Sequence, residues 1–232
     1  MARFYGIGIG PGDSELVTVK ASRILGELDI IYTPEAKKGA KSLALEIAGP
    51  YLSEELMIKQ RHFPMVRDKS HKEGQWQDIA EEIVADVQAG KNVGFITLGD
   101  PMVFSTYSYL LDIIGHRIET KTIPGITSYN SIAAEVGLPL VMDEESFAVV
   151  PATAGVQHLE AVLRTHETVV IMKVANHLAE VLPLLKQFDL LDKTVLVSRS
   201  STDQQEIRYG VADLSPEEKL SYFTTMLVKK TL

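Results

Sequence analysis

The stretch Phe95-Ile96-Thr97-Leu98-Gly99-Asp100-Pro101-Met102-Val103-Phe104 decides how this chain is read, because an apolar run stops at a turn that exposes one carboxylate. Ile96 and Leu98 suit a buried strand, Gly99 permits backbone angles that other residues resist, and Pro101 fixes the chain direction while removing a donor. Asp100 is thereby held at the carboxyl end of a strand. In open α/β sheets ligands bind outside those ends. A tight Gly-Asp-Pro turn that merely ends a strand is the competing reading of this segment alone.

Upstream, Gly6-Ile7-Gly8-Ile9-Gly10-Pro11-Gly12-Asp13 leads into a helical pattern through Val17, Ala21, Ile24 and Leu25. It looks like a dinucleotide fingerprint and fails as one. Gly-x-Gly-x-x-Gly requires a third glycine where Pro11 or Asp13 stands, and no acidic residue follows a second strand at the ribose distance. Pro11 also removes an amide that would cradle phosphate.

Between and beyond these turns the apolar pattern switches between short runs and helical periods, the mark of an α/β protein. Strands are expected at 3–9, 29–33, 93–98, 117–123, 146–150, 168–172, 194–198, 205–211 and 222–229, and helices at 16–26, 40–48, 75–89, 105–114, 127–136, 155–164 and 176–187. In 75–89, Trp76, Ile79, Ala80, Ile83, Val84 and Val87 share one face, and Gly90 stands where a helix-ending glycine belongs. Pro183 is expected to kink or break the last helix. At Thr122-Ile123-Pro124-Gly125 a Pro-Gly pair resets the chain, which predicts two α/β domains, 1–123 and 124–232, with a ligand cleft between them.

Composition narrows the class of partner. The chain has 232 residues, 45% of them hydrophobic, enough for two cored domains of about a hundred residues each. With 23 basic and 31 acidic groups its formal charge is −8, which argues against nucleic acid and anionic membranes and favours a small molecule. Cysteine is absent, so thiolate metal sites, disulfides and cysteine nucleophiles are excluded. No apolar run approaches a membrane span, and the start lacks the apolar core of a leader, so a cytoplasmic protein is expected. The histidines show no ligand spacing, and no metal site is expected.

Taken together, the start Gly-x-Gly-x-Gly-Pro-Gly-Asp, the turn Leu98-Gly99-Asp100-Pro101 and Ile123-Pro124-Gly125-Ile126-Thr127-Ser128 resemble the tetrapyrrole methylase family, in order and over the length of the chain. His62-Phe63-Pro64-Met65 with Trp76 downstream, and the run from Gly99 to Tyr107, are similar to the branch acting on carbon 20 of precorrin-2 or its cobalt complex, cobalt-factor II, in cobalamin synthesis. The resemblance implies two α/β domains with S-adenosylmethionine in a trough between them, a tetrapyrrole acceptor and a homodimer. It places Pro11, Leu98, Gly99, Asp100, Val103, Thr127 and Ser128 at the methyl donor, and Met172 over its adenine side. Ser200 is a further implied donor contact, although this chain lacks the glycine that family members carry there.

The acceptor leaves its own imprint. A precorrin bears several carboxylates, and residues 59–72 collect Lys59, Arg61, Arg67, Lys69 and Lys72 with His62 and His71, beside a second cluster at Lys37, Lys38 and Lys41. Arg61 and His62 are the expected acceptor contacts, since a guanidinium pairs with a carboxylate through two bonds. Methyl transfer is an in-line displacement that needs positioning and no covalent nucleophile. The carbon that accepts the methyl group must then lose a proton, and Asp100, His62 and Tyr107 are the candidate bases. Methylation of another macrocycle carbon or of uroporphyrinogen III, and non-catalytic tetrapyrrole binding, are the alternative readings.

Overall fold

The computed structural model describes residues 1–34, 42–62 and 69–231, with only the backbone of 69–73. Phe63-Pro64-Met65, Arg67 and the Lys37, Lys38 and Lys41 cluster lie outside the described residues, as do the side chains of Lys69, His71 and Lys72. The chain divides into two compact units, Met1–Thr127 and Ser128–Leu232. The Pro124-Gly125 turn belongs to the first unit, because the Gly125 amide is bonded to Asp100 and its Cα packs on Gly8. The break therefore falls four residues beyond the expected one.

In the first unit β1 (Phe4–Gly8), α1 (Val19–Gly26), β2 (Ile30–Pro34), α2 (Leu43–Ala48), β3 (Met57–Arg61), α3 (Lys69–Gln88), β4 (Val93–Thr97), α4 (Tyr107–Ile114) and β5 (Thr120–Ile123) alternate along the chain. The strands form one parallel sheet in the order β3-β2-β4-β1-β5, so all five point their carboxyl ends to the same edge. Both faces are covered. Ile7, Ile31, Ile96 and Ile123 meet Ala21, Ile24 and Leu25 of α1 and Ile47 of α2, while Phe4, Tyr32 and Phe95 meet the apolar stripe of α3 and Tyr107, Leu110 and Ile114 of α4. Burial on both sides is why β1, β2 and β4 read as continuous apolar runs.

Local chemistry sets the ends of these helices. Thr18 starts α1 by accepting from the Ala21 amide at 3.1 Å, and Gly90, at φ +86°, closes the turn after α3. All six apolar residues of the 75–89 stripe are buried together. The pattern misses β3, an edge strand with Met57 56% and Ile58 49% exposed and two cations among its five residues.

In the second unit α5 (Ser128–Glu135), β6 (Phe147–Pro151), α6 (Val156–Thr165), β7 (Thr168–Met172), α7 (Leu178–Gln187), β8 (Thr194–Ser198), β9 (Glu206–Tyr209) and β10 (Thr224–Lys229) build a mixed sheet, β6-β7-β10-β8-β9, in which only β6 and β7 run parallel. Strict alternation divides its residues. Val169, Ile171, Leu196, Met226 and Val228 pack on α6 and α7, and Val170, Val195, Val197 and Leu227 on Ile132 of α5. The helix α7 runs through Pro183 without a break, with Val181, Leu182, Leu184 and Leu185 buried around it. That packing outweighs the lost backbone bond.

Candidate active site

Three glycine turns of the first unit meet at the carboxyl edge of its sheet. Gly99, at φ +67°, donates its amide to the Gly10 carbonyl at 2.7 Å, and Gly10 itself sits at φ +80°. A Cβ added at Gly8 would fall 2.6 Å from the Gly99 carbonyl oxygen and the Gly125 nitrogen, and one at Gly125 only 2.1 Å from that same oxygen. No side chain fits there. The first, second and third motifs thus close on one another through bare backbone, which leaves peptide groups rather than side chains at this junction.

Asp100 locks this junction. Its Oδ1 accepts from the Met102 amide at 2.8 Å and its Oδ2 from the Gly125 amide at 3.0 Å, while its carbonyl accepts from Val103 at 3.2 Å. Both carboxylate oxygens are engaged by the loops they join. Pro11, Leu98 and Val103 are half-buried around the junction, Leu98 against the isoleucine cluster of α1. The turn continues to Ser105, whose hydroxyl bonds Thr97 at 3.1 Å, and Phe104 adopts a left-handed φ of +49°.

Thr127 ends the first unit. It is 8% exposed, and its Oγ1 has no hydrogen-bond partner among the described residues, so it does not cap the following helix. A buried hydroxyl left unpaired costs about 1–3 kcal/mol. Such a group is expected where a ligand completes the site. The adjoining Ser128, first residue of the second unit, is half-buried.

Tyr107, a candidate base, packs inside the core of the first unit. Its ring is fully buried between Phe4 and Phe95, lies where a Cβ on Gly6 would stand, and holds its hydroxyl 2.9 Å from Thr122 Oγ1. Burial pushes the phenol's pKa up and leaves it without access to solvent. It fills the first buried position of the helix α4. His62 is exposed, one residue beyond β3.

Arg61, expected at the acceptor, is gripped within its own unit. Its Nε and Nη2 donate to Glu82 at 2.8 and 2.5 Å and its Nη1 to the Gln60 carbonyl at 2.9 Å. Lys59 pairs with Asp86 at 2.7 Å and Glu82 at 3.1 Å, and the Tyr32 hydroxyl donates to the same Asp86 oxygen at 2.6 Å. The hydrogen bonds from Arg61 hold the Glu82 carboxyl below its usual range. Burial works against the charge on Lys59, but Asp86 and Glu82 overcome it and raise its pKa. The pairing carboxylates come from α3, whose polar side carried no motif.

In the second unit, Met172 ends β7 half-buried against the cluster of Ile132 and Val170, immediately before Lys173 at φ +59°. Ser200 is 6% exposed with an Oγ that has no partner among the described residues. Its neighbours Arg199 and Ser201 both take left-handed angles, φ +52° and +60°, and Ser201 is tied by Ser131 Oγ at 2.5 Å and Gln205 Oε1 at 2.7 Å. Two non-glycine residues thus hold a turn that glycine would form without strain. The missing glycine was the signal. Among the described residues no three His, Asp or Glu side chains come together as a metal site, and no helix is long and apolar enough to cross a membrane.

This pair of α/β units is the architecture of the tetrapyrrole methyltransferases. Uroporphyrin-III C-methyltransferase from Thermus thermophilus, complexed with S-adenyl homocysteine, matches 99% of this chain and 98% of its own with a TM-score of 0.72 at 21% identity. The chain belongs to the tetrapyrrole (corrin/porphyrin) methylases, whose family model matches residues 3–214. Within that family it is 40% identical to the cobalt-precorrin-2 C(20)-methyltransferase of Salmonella typhimurium, over 98% of this chain and 96% of the relative. It is 32% identical to a probable cobalt-precorrin-2 C(20)-methyltransferase of Methanocaldococcus jannaschii, again over 98% of this chain and 96% of the relative.

Proposed function

We propose that this protein transfers a methyl group from S-adenosylmethionine to carbon 20 of cobalt-factor II or precorrin-2, a step of cobalamin biosynthesis. The observation that carries the reading is 40% identity across almost the whole of a cobalt-precorrin-2 C(20)-methyltransferase. The residues present fit the donor: bare backbone at Gly8, Gly10, Gly99 and Gly125, and two buried hydroxyls, Thr127 and Ser200, that have no partner among the described residues. The sulfonium supplies an activated methyl group; the protein's share is to hold donor and acceptor in line and exclude water.

Asp100 acts in this reading by shaping the donor turn, because Met102 and Gly125 occupy its oxygens. The proton leaving the methylated carbon goes to His62, which is exposed beside Arg61. Pro11, Leu98, Val103, Ser128 and Met172 line the donor. A homodimer, the assembly the resemblance implies, located in the cytoplasm, completes the proposal and is tested by light scattering and cell fractionation.

The decisive experiment incubates the protein with methyl-labelled S-adenosylmethionine and each acceptor, then locates the new carbon by mass spectrometry and NMR. Label at C20 supports the reading, and the better acceptor identifies whether cobalt precedes methylation. Label at another carbon, or binding without transfer, overturns it.

A further inference from the structure

Arg61 is the last residue of β3, and in the order β3-β2-β4 it leaves the same edge of the sheet as Gly99. Neighbouring strands lie about 4.8 Å apart, so Arg61 stands roughly 10 Å along that edge from the end of β4. A macrocycle with acidic side chains bridges such a distance. What matters is how the guanidinium is presented.

Lys59 and Arg61 are two residues apart on one strand face, a rise of about 6.6 Å. Glu82 and Asp86 are four residues apart on α3, a rise of about 6 Å. The spacings match, so the pairs stack in register, Arg61 on Glu82 and Lys59 on Asp86. Beneath them lies the Tyr32 ring, with the Arg61 guanidinium 5.8 Å and the Lys59 ammonium 5.3 Å from its centroid, and its own hydroxyl anchored on Asp86. Two cations and two carboxylates cancel. The cluster therefore attracts no anion by net charge, and recognition must come from direction.

Direction is available. Glu82 takes the guanidinium side-on through Nε and Nη2, and the Gln60 carbonyl takes one proton of Nη1. Three of the five N–H groups of the guanidinium are engaged, and one remains on each terminal nitrogen among the described residues. The side chain is 36% exposed, enough for a ligand to reach that outer edge.

We infer that Glu82 is a positioning residue: together with the Tyr32 ring it fixes Arg61 so that its two remaining N–H groups form a fork for one peripheral carboxylate of the tetrapyrrole. The inference rests on the methyltransferase reading above and names the recognition element of its acceptor. It explains why a cation at this site is arginine, since a lysine held by Glu82 keeps only tetrahedrally splayed N–H groups and offers no planar fork.

The test compares Arg61→Lys, Glu82→Ala and the double variant with the wild-type enzyme, whose turnover of precorrin-2 or cobalt-factor II is measured first. If the wild type turns over neither, the activity reading fails and not this one. With turnover established, Arg61→Lys raises the acceptor KM about tenfold or more, and Glu82→Ala raises it about three- to tenfold, with kcat and S-adenosylhomocysteine affinity unchanged. The double variant is no worse than Arg61→Lys alone, because both substitutions remove the same fork. Glu82→Gln, whose amide oxygen still accepts from Arg61, falls in between and serves if the alanine variant does not fold. An acceptor with esterified carboxylates loses the distinction between wild type and Arg61→Lys. An unchanged KM in Arg61→Lys, additive losses in the double variant, or a lower KM in Glu82→Ala overturns the inference, the last by showing that Glu82 blocks the guanidinium.

Discussion

The Asp100 carboxylate joins the second glycine turn to the third, its Oδ2 accepting from the Gly125 amide at 3.0 Å across 25 residues of sequence. With Oδ1 on Met102, the side chain acts as a clamp on two loops. Asp100→Asn keeps the Met102 bond and turns an amide donor toward Gly125, leaving that N–H unpaired at a cost of about 1–3 kcal/mol. Affinity for S-adenosylhomocysteine is expected to fall roughly ten- to a hundredfold by calorimetry, with the single-turnover rate at saturating donor within about threefold of wild type. A hundredfold loss of rate at unaltered affinity would make Asp100 the base instead.

The glycine junction predicts a sharp contrast between two alanine substitutions. A Cβ at Gly125 meets the Gly99 carbonyl oxygen at 2.1 Å and the Gly8 Cα at 2.8 Å, all of it backbone, whereas one at Gly49 meets nothing within 4 Å. Gly125→Ala is expected to destabilise by about 1–3 kcal/mol and to lower the thermal midpoint by several degrees. Gly49→Ala, in a helical conformation, should leave the midpoint unchanged or raise it.

Thr127 and Ser200 offer a test in which stability and binding move apart. Because neither hydroxyl has a partner among the described residues, Thr127→Val and Ser200→Ala should leave the ligand-free protein as stable as wild type or more so. Each should still weaken S-adenosylhomocysteine about two- to tenfold, the worth of one hydrogen bond. Unchanged affinity in both variants would remove these hydroxyls from the donor site.

Tyr107→Phe deletes a hydroxyl whose partner is Thr122 Oγ1. A stability loss of about 0.5–1.5 kcal/mol is expected in chemical denaturation. Methyl transfer should proceed within about twofold of the wild-type rate, and a drop of two orders of magnitude would return the phenol to the reaction.

Acid exposes a different anchor. The Ser146 amide and hydroxyl, both 2.8 Å from Glu167 Oε2, hold that carboxyl down at about 2 from the ordinary 4.5. A depressed folded-state pKa gives stability that is complete above the unfolded value and disappears as pH falls through the folded one. Denaturant midpoints should therefore decline between pH about 4.5 and about 2 in the wild type. Glu167→Gln should start lower at neutral pH, decline less across that window, and converge with wild type below it.

Much of this molecule was legible in its pattern of residues. Both-face burial makes β1, β2, β4, β7, β8 and β10 read as apolar runs, and the α3 stripe from Trp76 to Val87 fixed that helix because period and burial coincide. The Gly-Asp-Pro segment announced a tight turn at the end of β4, since glycine, carboxylate and proline each restrict what the backbone there can do. Edge strand β3 was hidden for the opposite reason. With one neighbour and three of its five residues in solvent, its charges looked like a basic loop.

Sequence by itself determined the α/β class, the three turns and their order, because these depend on local preferences and on which residues water excludes. Only the tertiary structure decided what those residues face. Tyr107 was drawn into the core by the space that Gly6 leaves, Arg61 acquired Glu82 from a helix with no motif, and Asp100 found Gly125. Each of these partners is distant along the chain, and a side chain's chemistry is set by the atoms within a few ångströms of it, which sequence spacing does not record.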